Sequence, residues 1–273
     1  MKKTIAILFV CAGTLFAQDG GERVNVPLTD PSRPARVHAH LLMGGITVRG
    51  GNTREVVVEM RPKSGSEPHE APVPPKASGM HRLDLPGNAG LDITEQDNTV
   101  NIKTTAWNRH GDLMITVPRH SSLQLKTIND GDIDVEQVDG EIDADALNGR
   151  ITLKNIAGSV LAHALNGPIL VTLDQVDPAK PMSFSTLNGD IDVTLPDNVK
   201  ANVRMKTDNG EIYSDFEVKL DSGSNVTTNN SDRRDHGAYH IRLDRTFHGT
   251  INGGGPEYQF TSFNGQIFIR KKK

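Results

Sequence analysis

Apolar residues recur in short alternating runs through the middle of the chain, and each run begins at a glycine. Gly131, Gly140, Gly149, Gly158 and Gly167 lie nine residues apart. The first four units follow the pattern Gly-x-apolar-x-apolar-x-x-apolar-x, with Ile133, Val135 and Val138, then Ile142, Ala144 and Leu147, then Ile151, Leu153 and Ile156, then Val160, Ala162 and Leu165 in the apolar positions. This alternation predicts one short strand with one buried face per unit. We expect the glycine to supply the positive φ that turns the chain between strands.

A single nine-residue unit cannot bury its own apolar side chains, so the units are expected to stack. Alternate units differ, which makes two units, or 18 residues, the repeating coil. A shift of 18 residues places Ile133 on Ile151 and Ile142 on Val160. The sequence therefore predicts an all-β fold, a parallel β-solenoid or β-helix with two short strands per coil and looser β-strand regions at both ends.

Asparagine precedes the glycine at several predicted corners. These asparagines are Asn148, Asn166, Asn188, Asn209 and Asn264, so the pattern continues in longer coils and returns near the end of the chain. Asparagine amides bond locally in turns. We expect these side chains to support the corners and to stack from coil to coil.

Outside residues 121–220 the strand signals are less regular. Val37–Leu41 and Ile46–Val48 predict another coil. Further strands are predicted at Glu55–Met60, Leu83–Leu85, Leu91–Thr94, Val100–Lys103, Leu113–Val117, Tyr239–Leu243 and Tyr258–Phe260. Proline-rich residues 61–80 and polar residues 221–237 predict irregular excursions.

The first residues have the composition of an export signal. Two lysines precede the apolar stretch Ile5–Phe16, and the small residue Ala17 follows it. This pattern predicts a secretory signal peptide cleaved after Ala17. A lipoprotein signal with Cys11 as the lipidated residue is the weaker alternative, because a bulky valine precedes that cysteine. The apolar stretch is too short to span a bilayer, so we expect no membrane-spanning segment after cleavage.

These signals give an expected domain organisation. Residues 1–17 are the signal peptide, and residues 18–120 are an N-terminal β region that contains the insertion at 61–80. Residues 121–220 are regular solenoid coils, and residues 221–273 are a polar loop followed by C-terminal strands. An alternative is that residues 18–273 form one continuous domain.

Composition narrows the classes of function. The net charge is −4, and the one basic block is the tail Arg270–Lys273, so nucleic acid is not expected as a partner. A single cysteine excludes a disulfide framework and a cysteine-based zinc site. The many Val, Ile and Leu residues argue against wholesale disorder.

Eight acidic residues resemble a cation site when they are taken alone. They are Asp130, Asp132, Asp134, Glu136, Asp139, Glu141, Asp143 and Asp145. The 18-residue shift, however, places Asp132 beside Arg150, Glu136 beside Lys154 and Asp145 beside His163. This register predicts opposite-charge pairs between neighbouring coils on the outer surface.

Metal sites receive weak support from the sequence. Calcium-binding nonapeptide rolls repeat Gly-Gly-x-Gly-x-Asp, whereas these units carry one glycine and Asp134 recurs as Thr152. His38 and His40 share one face of a strand but have no identifiable third ligand. His236 and His240 are similarly weak. We expect no metal, cofactor-binding or catalytic residues.

A carbohydrate-active enzyme on a β-helix is the enzyme alternative. Two carboxylates such as Asp132 and Asp134 could flank a glycosidic bond. Sugar grooves usually display aromatic side chains, and Trp107 is the best exposed candidate from the sequence. Hydrolase signatures such as Gly-x-Ser-x-Gly and His-Glu-x-x-His are absent from the sequence.

Several segments together resemble a known family. They are Leu113–Pro118, Leu125–Thr127, Gly131–Ile133, Thr186–Ile191, Gly253–Pro256 and Phe263–Gly265. The chain from Val37 to Ile269 resembles the bacterial "putative adhesin" family, a domain of unknown function built from β-strand repeats. The resemblance implies a β-solenoid and carries no catalytic motif.

The sequence and the resemblance together predict a non-enzymatic cell-envelope or surface protein, an adhesin-like binding module. Its expected location is the periplasm, the cell surface or the extracellular space. Its expected partner is an envelope or surface ligand, either a glycan or a protein. The alternatives are the carbohydrate-active enzyme and a purely structural envelope component.

Overall fold

The computed structural model describes residues 22–62, 91–104, 111–129, 131–221, 227–228, 243–244 and 246–273. This part of the chain consists of β-strands and turns without helix, which confirms the expected all-β fold. The predicted strand Leu83–Leu85, the signal peptide, Asp130 and most of both excursions lie outside the described residues. The strand predicted at Tyr239–Leu243 lies outside them up to residue 242.

Twenty-two strands are present in the described residues. The first eleven are β1 (Glu22–Pro27), β2 (Ala35–Met43), β3 (Ile46–Gly51), β4 (Glu55–Pro62), β5 (Leu91–Gln96), β6 (Thr99–Thr104), β7 (Gly111–Pro118), β8 (Ser121–Asn129), β9 (Ile133–Glu136), β10 (Asp139–Asn148) and β11 (Ile151–Asn166). The others are β12 (Ile169–Val176), β13 (Met182–Asn188), β14 (Ile191–Leu195), β15 (Ala201–Asn209), β16 (Ile212–Ser214), β17 (Val218–Leu220), β18 (Thr227–Thr228), β19 (Leu243–Asp244), β20 (Thr246–Ile251), β21 (Glu257–Asn264) and β22 (Ile267–Lys271).

Most strands pair in parallel as two-strand coils, called rungs below. Ile133 pairs with Ile151, and Ile142 pairs with Val160, which confirms the 18-residue coil in the regular units. The next coil is longer, because Ile169 pairs with Ile191. Inward-facing side chains of both strands of each rung form one continuous apolar core.

The rungs have two sides, and strands on each side follow one order. Side A carries β6, β2, β8, β10, the second half of β11, β13, β21 and β15. Side B carries β7, β3, β9, the first half of β11, β12, β14, β22 and β16. Antiparallel strands flank the array: β5 pairs with β6, β4 with β7, β1 with β4, β20 with β15, and β17 with β20.

The order of the rungs in space differs from their order in the sequence at both ends. The rung β2–β3 lies between β6–β7 and β8–β9. The rung β21–β22 lies between β13–β14 and β15–β16. Each end of the array therefore holds an inserted rung from the N-terminal or C-terminal part of the described chain.

The corner glycines correct the conformational role expected from the sequence. One corner is a column of glycines in rung order: Gly111, Gly44, Gly131, Gly149, Gly167, Gly189, Gly265 and Gly210. A Cβ on Gly149 would lie 2.1 Å from the carbonyl oxygen of Gly131. Gly131, Gly149 and Gly167 do not have positive φ, so close approach between rungs, rather than a left-handed turn, requires glycine there. The expected positive φ is present at Gly158, where φ is 126°.

The strand phase near this corner also differs from the prediction. Leu147 and Leu165 were expected in the core, but Leu147 is exposed and Leu165 is partly exposed. Ala146 and Ala164 are buried instead. Strict two-residue alternation continues to the end of these strands, because the turn begins one residue later than the repeat suggests.

The first testable prediction concerns this phase. Ile151→Asp should lower the free energy of unfolding by at least about 3 kcal/mol, because the carboxylate would enter the core unpaired. Leu147→Asp, which faces outward, should cost about 1 kcal/mol or less. Urea unfolding curves measure both values. Equal losses for the two variants would contradict the phase described here.

A second prediction separates close approach from ordinary glycine flexibility. Gly149→Ala should cost about 1–3 kcal/mol, because backbone rather than a movable side chain meets the new Cβ. Gly51→Ala is the matched control, since its Cβ would meet only Thr116 Cγ2 at 3.7 Å. The control should change stability by about 0.5 kcal/mol or less. Thermal melting that shows no difference between the variants would contradict the packing of the glycine column.

Candidate binding surface

The corner asparagines form a hydrogen-bonded ladder along the solenoid. Asn166 Nδ2 donates to Asn148 Oδ1 at 2.9 Å, and Asn188 Nδ2 donates to Asn166 Oδ1 at 2.8 Å. Asn264 Nδ2 then donates to Asn188 Oδ1 at 2.7 Å, and Asn209 Nδ2 donates to Asn264 Oδ1 at 2.8 Å. The expected stacking is confirmed, and each amide is engaged by its neighbours rather than presented to a ligand.

Aspartates that follow the corner glycines hold the next rung. Asp132 Oδ1 accepts the backbone N–H of Arg150 at 2.8 Å, and Asp190 Oδ1 accepts that of Gln266 at 2.7 Å. Asp112 Oδ1 likewise accepts the N–H of Gly45 at 2.9 Å. The Gly-Asp dipeptide at these corners therefore has a structural role. The glycine lets the backbones of neighbouring rungs approach closely, and the aspartate accepts an N–H group that has no backbone partner in the described part of the chain.

The predicted ion pairs between rungs are confirmed only in part. Arg150 contacts Asp132 at 3.4 Å, as expected. Glu136 and Lys154 are aligned in register but form no ion pair with each other.

Asp145 is aligned with His163 but bonds instead to Lys126 on the other neighbouring rung, at 2.8 Å. The hydrogen bond to Asp145 raises the pKa of Lys126. His163 contacts Ser185 Oγ at 2.7 Å. The expected pair fails because parallel register offers two neighbouring rungs, and the longer lysine reaches the carboxylate first.

The histidine pair lies in a pocket lined by both lysines and aspartates. His38 Nδ1 contacts Asn101 Oδ1 at 3.2 Å. His40 is aligned with Lys103 on one neighbouring strand and Lys126 on the other. Among the residues that the structure describes, no group of three metal-ligating side chains is found. His236, His240 and Trp107 lie outside them.

Outward apolar side chains form a stripe on side A beside the asparagine ladder. The stripe, called the corner stripe, comprises Leu42, Ile128, Leu147, Leu165, Leu187 and Phe263. Its more exposed members keep about 40% of their surface accessible, for example Leu187 at 41%. Because like side chains follow one another on successive rungs, each covers its neighbour, and the stripe contributes to rung stacking.

A shallow groove of about 550 Å³ lies around the corner on side B. We call it the aromatic groove and define it by Pro168, Leu170, Asp190, Asp192 and Phe268, with Asp132 and Arg150 at one end. These positions are the outward slots of β12, β14 and β22 and the residues just before those strands. Rung pairing on both sides fixes the backbone of all three strands.

Aromatic stacking shapes one end of the groove. Phe268 stacks on Tyr213 of the next rung, with ring centroids 5.3 Å apart and an interplanar angle of 9°. Tyr213 is 46% exposed, and its hydroxyl bonds to Glu211, which raises the pKa of Tyr213. The guanidinium of Arg270 lies 5.2 Å from the Phe268 ring centroid. The aromatic pair is thus held in one orientation by its neighbours.

The charges of the groove are mostly paired. Arg270 Nε donates to both carboxylate oxygens of Asp192, at 2.8 Å and 3.0 Å, and this hydrogen bonding raises the pKa of Arg270. Arg150 contacts Asp132. Asp190 Oδ2 has no partner among the described side chains, since the bond to Gln266 uses Oδ1. The groove therefore combines an apolar floor with one free carboxylate oxygen and an arginine.

A more apolar cavity of about 410 Å³ lies at the C-terminal end of the core, bordered by Phe216, Val218, Leu220 and Phe247. The Ser214 hydroxyl pairs with the backbone of Phe216, and Glu211 is the one charged side chain among the described residues of the lining. The aromatic groove has several charged side chains that can orient a ligand, namely Asp132, Arg150, Asp190 and Asp192, so it is the better candidate.

Sequence reasoning missed the aromatic groove. It selected Trp107 as the exposed aromatic residue, and Phe268 went unnoticed although it fills an outward slot after the Gly265 corner. Periodicity could have placed Phe268 outward. It could not have placed Tyr213 beside it, because that contact depends on the insertion of β21–β22 before β15–β16.

Comparison with known proteins identifies the family. The family model described as Toastrack DUF4097 matches residues 92–252, more than half of the chain. The chain belongs to this family. Toastrack DUF4097 membership confirms the family resemblance given by the sequence. No curated protein matches the chain.

Two solved structures resemble this Toastrack DUF4097 member over most of its length. One is a putative cell adhesion protein from Clostridium sporogenes ATCC 15579, and the other is a putative adhesin from Bacteroides fragilis NCTC 9343. Each has a TM-score of 0.43 and 10% sequence identity, and each alignment covers 93% of this chain. The alignments cover 100% and 98% of those chains, respectively.

A third prediction tests the two roles of Asp132 in this Toastrack DUF4097 chain. Arg150→Glu should cost about 1 kcal/mol or less, because the ion pair is exposed. Combining it with Asp132→Arg should recover only part of this loss, since arginine cannot accept the backbone N–H of residue 150. Asp132→Asn, which keeps an acceptor, should be milder than Asp132→Ala. Urea unfolding at low salt measures each value, and zero coupling between positions 132 and 150 would contradict their contact.

Proposed function

We propose that this protein is an exported, non-enzymatic binding module of the cell envelope or cell surface. Export is inferred from the sequence of residues 1–17, with cleavage after Ala17. In the described residues, no helix is both long enough and apolar enough to cross a membrane. The processed protein would then meet its ligand in the periplasm, at the surface or outside the cell.

The observation that carries the proposal is the aromatic groove. Leu170 is 39% exposed, and its neighbours on adjacent rungs are the polar residues Thr152 and Asp192. Packing against like side chains on neighbouring rungs therefore does not explain why a leucine stands at this outward position. A rigid sheet that leaves apolar and aromatic groups exposed beside polar ones has the composition of a binding site.

The contacts of Asp132 and Asp134, the two carboxylates named for hydrolysis, support binding instead. Glycoside hydrolysis needs one carboxyl group as acid and a second as base or nucleophile. Asp132 is committed to the N–H and the guanidinium of Arg150. Asp134 is aligned with Thr47 and Thr152, away from a second carboxylate in its own row. These contacts support a binding role for the outer face of side B.

A fourth prediction tests export and binding together. Protein recovered from the source cells should begin at Gln18 by mass spectrometry and should fractionate with the envelope or the medium. Purified chain should be retained on intact cells or isolated envelope without releasing reducing ends.

The outcomes of this experiment separate the alternatives. Release of reducing ends from a polysaccharide panel would replace the binding module with a carbohydrate-active enzyme. Envelope fractionation without any retention of added protein would favour a purely structural component. An unprocessed chain in the cytoplasm would overturn the proposal.

A further inference from the structure

We propose that the aromatic groove binds an extended, neutral polysaccharide. This inference rests on the proposed binding function and names the ligand class. The lining of the groove suggests this ligand class, because apolar and aromatic side chains alternate along the rungs with hydrogen-bonding side chains.

The floor and wall of the groove suit the apolar face of a sugar ring. Pro168, Leu170 and Phe268 supply the apolar part of the lining. Tyr213 stacks behind Phe268 and fixes its orientation. A pyranose ring has one face of C–H groups that packs on such surfaces and a rim of hydroxyl groups that requires polar partners.

The polar groups of the groove match hydroxyl groups. Asp190 Oδ2 is an acceptor without a partner among the described side chains, and the Arg150 guanidinium supplies donors. Asp192 and Asp132 are neutralised by Arg270 and Arg150, which leaves the charge of Asp190 uncompensated. An anionic polymer would be repelled by this carboxylate, so the site favours a neutral chain.

The spacing of the rungs suits a polymer better than a single sugar. Successive rungs are about 4.8 Å apart, close to the length of one hexose in an extended chain. Outward slots on consecutive rungs hold Leu170, Asp192, Phe268 and Tyr213. A glycan lying parallel to the solenoid axis would place successive sugars over successive rungs. The groove volume is also within the usual range for ligand sites, about 300–1,000 Å³.

An extended peptide is disfavoured at the same position. Peptides that add to a sheet bind at a free strand edge through backbone hydrogen bonds. The strands under the groove, β12, β14 and β22, have partners on both sides, so no edge is available there. A ligand must be held by side chains alone, which a glycan with many hydroxyl groups can satisfy.

The experiment is calorimetric titration of the full chain lacking residues 1–17 with defined hexasaccharides. The neutral probes are cellohexaose, laminarihexaose, mannohexaose and chitohexaose, and an alginate hexamer is the anionic probe. At least one neutral probe should bind, and the anionic probe should bind more weakly. Phe268→Ala should weaken binding about tenfold, as expected for loss of an aromatic contact.

Two matched variants control for folding and for general loss of apolar surface. Phe268→Tyr keeps the ring and should retain binding within about threefold. Leu187→Ala removes an exposed apolar side chain from the corner stripe on side A and should leave binding unchanged. Identical thermal melting curves for the variants would exclude unfolding as the cause.

The inference would be overturned by no binding of any neutral probe, by preference for the anionic probe, or by equal losses for Phe268→Ala and Leu187→Ala. Envelope retention that survives glycan competition but disappears after protease treatment of the envelope would indicate a protein ligand. That last result would overturn the glycan inference and leave the proposed binding function intact.

Discussion

The contact between each corner glycine and the carbonyl oxygen of the glycine on the neighbouring rung is the constraint on which the structure depends. With the exception of Gly111 at one end, a Cβ on any glycine of this column would enter the backbone of the adjacent rung, and the distance at Gly131 would be 1.8 Å. The close approach brings the preceding asparagines within hydrogen-bonding distance of one another. It also lets the following aspartates reach the N–H groups of the next rung. Packing of the glycine column thus positions the asparagines that precede these glycines and the aspartates that follow them.

The same constraint explains how distant parts of the chain join one solenoid. Gly265 and Asn264 of the inserted C-terminal rung continue the glycine and asparagine columns between Gly189 and Gly210. The inserted rung therefore fits because it carries the same corner chemistry as its neighbours, although 76 residues separate Asn188 from Asn264. The insertion closes long loops, and contacts of this kind form late and slowly in folding.

Sequence periodicity predicted the coil, the parallel register and the asparagine ladder, because these features repeat in the sequence itself. It could not predict the rung order, since equivalent corners are interchangeable in a one-dimensional pattern. The phase error at Leu147 arose because a nine-residue template cannot show whether the last apolar residue belongs to the strand or to the turn. The Asp145 partner was missed for a related reason. A residue in a parallel sheet has two neighbours, and side-chain length decided in favour of Lys126.

The exposed apolar side chains of the corner stripe and those of the aromatic groove have different physical origins. In the corner stripe, leucine follows leucine on successive rungs, so each side chain shields the next, and exposure is what remains of a stabilising ladder. In the aromatic groove, Asp192 separates Leu170 from Phe268, so Leu170 has no like neighbour, whereas Phe268 is covered on its other side by Tyr213. Because Asp192 stands between Leu170 and Phe268, these two apolar side chains do not pack against each other. The result is a row of alternating apolar and polar side chains on a fixed backbone. A ligand with an apolar face and a polar rim requires this arrangement.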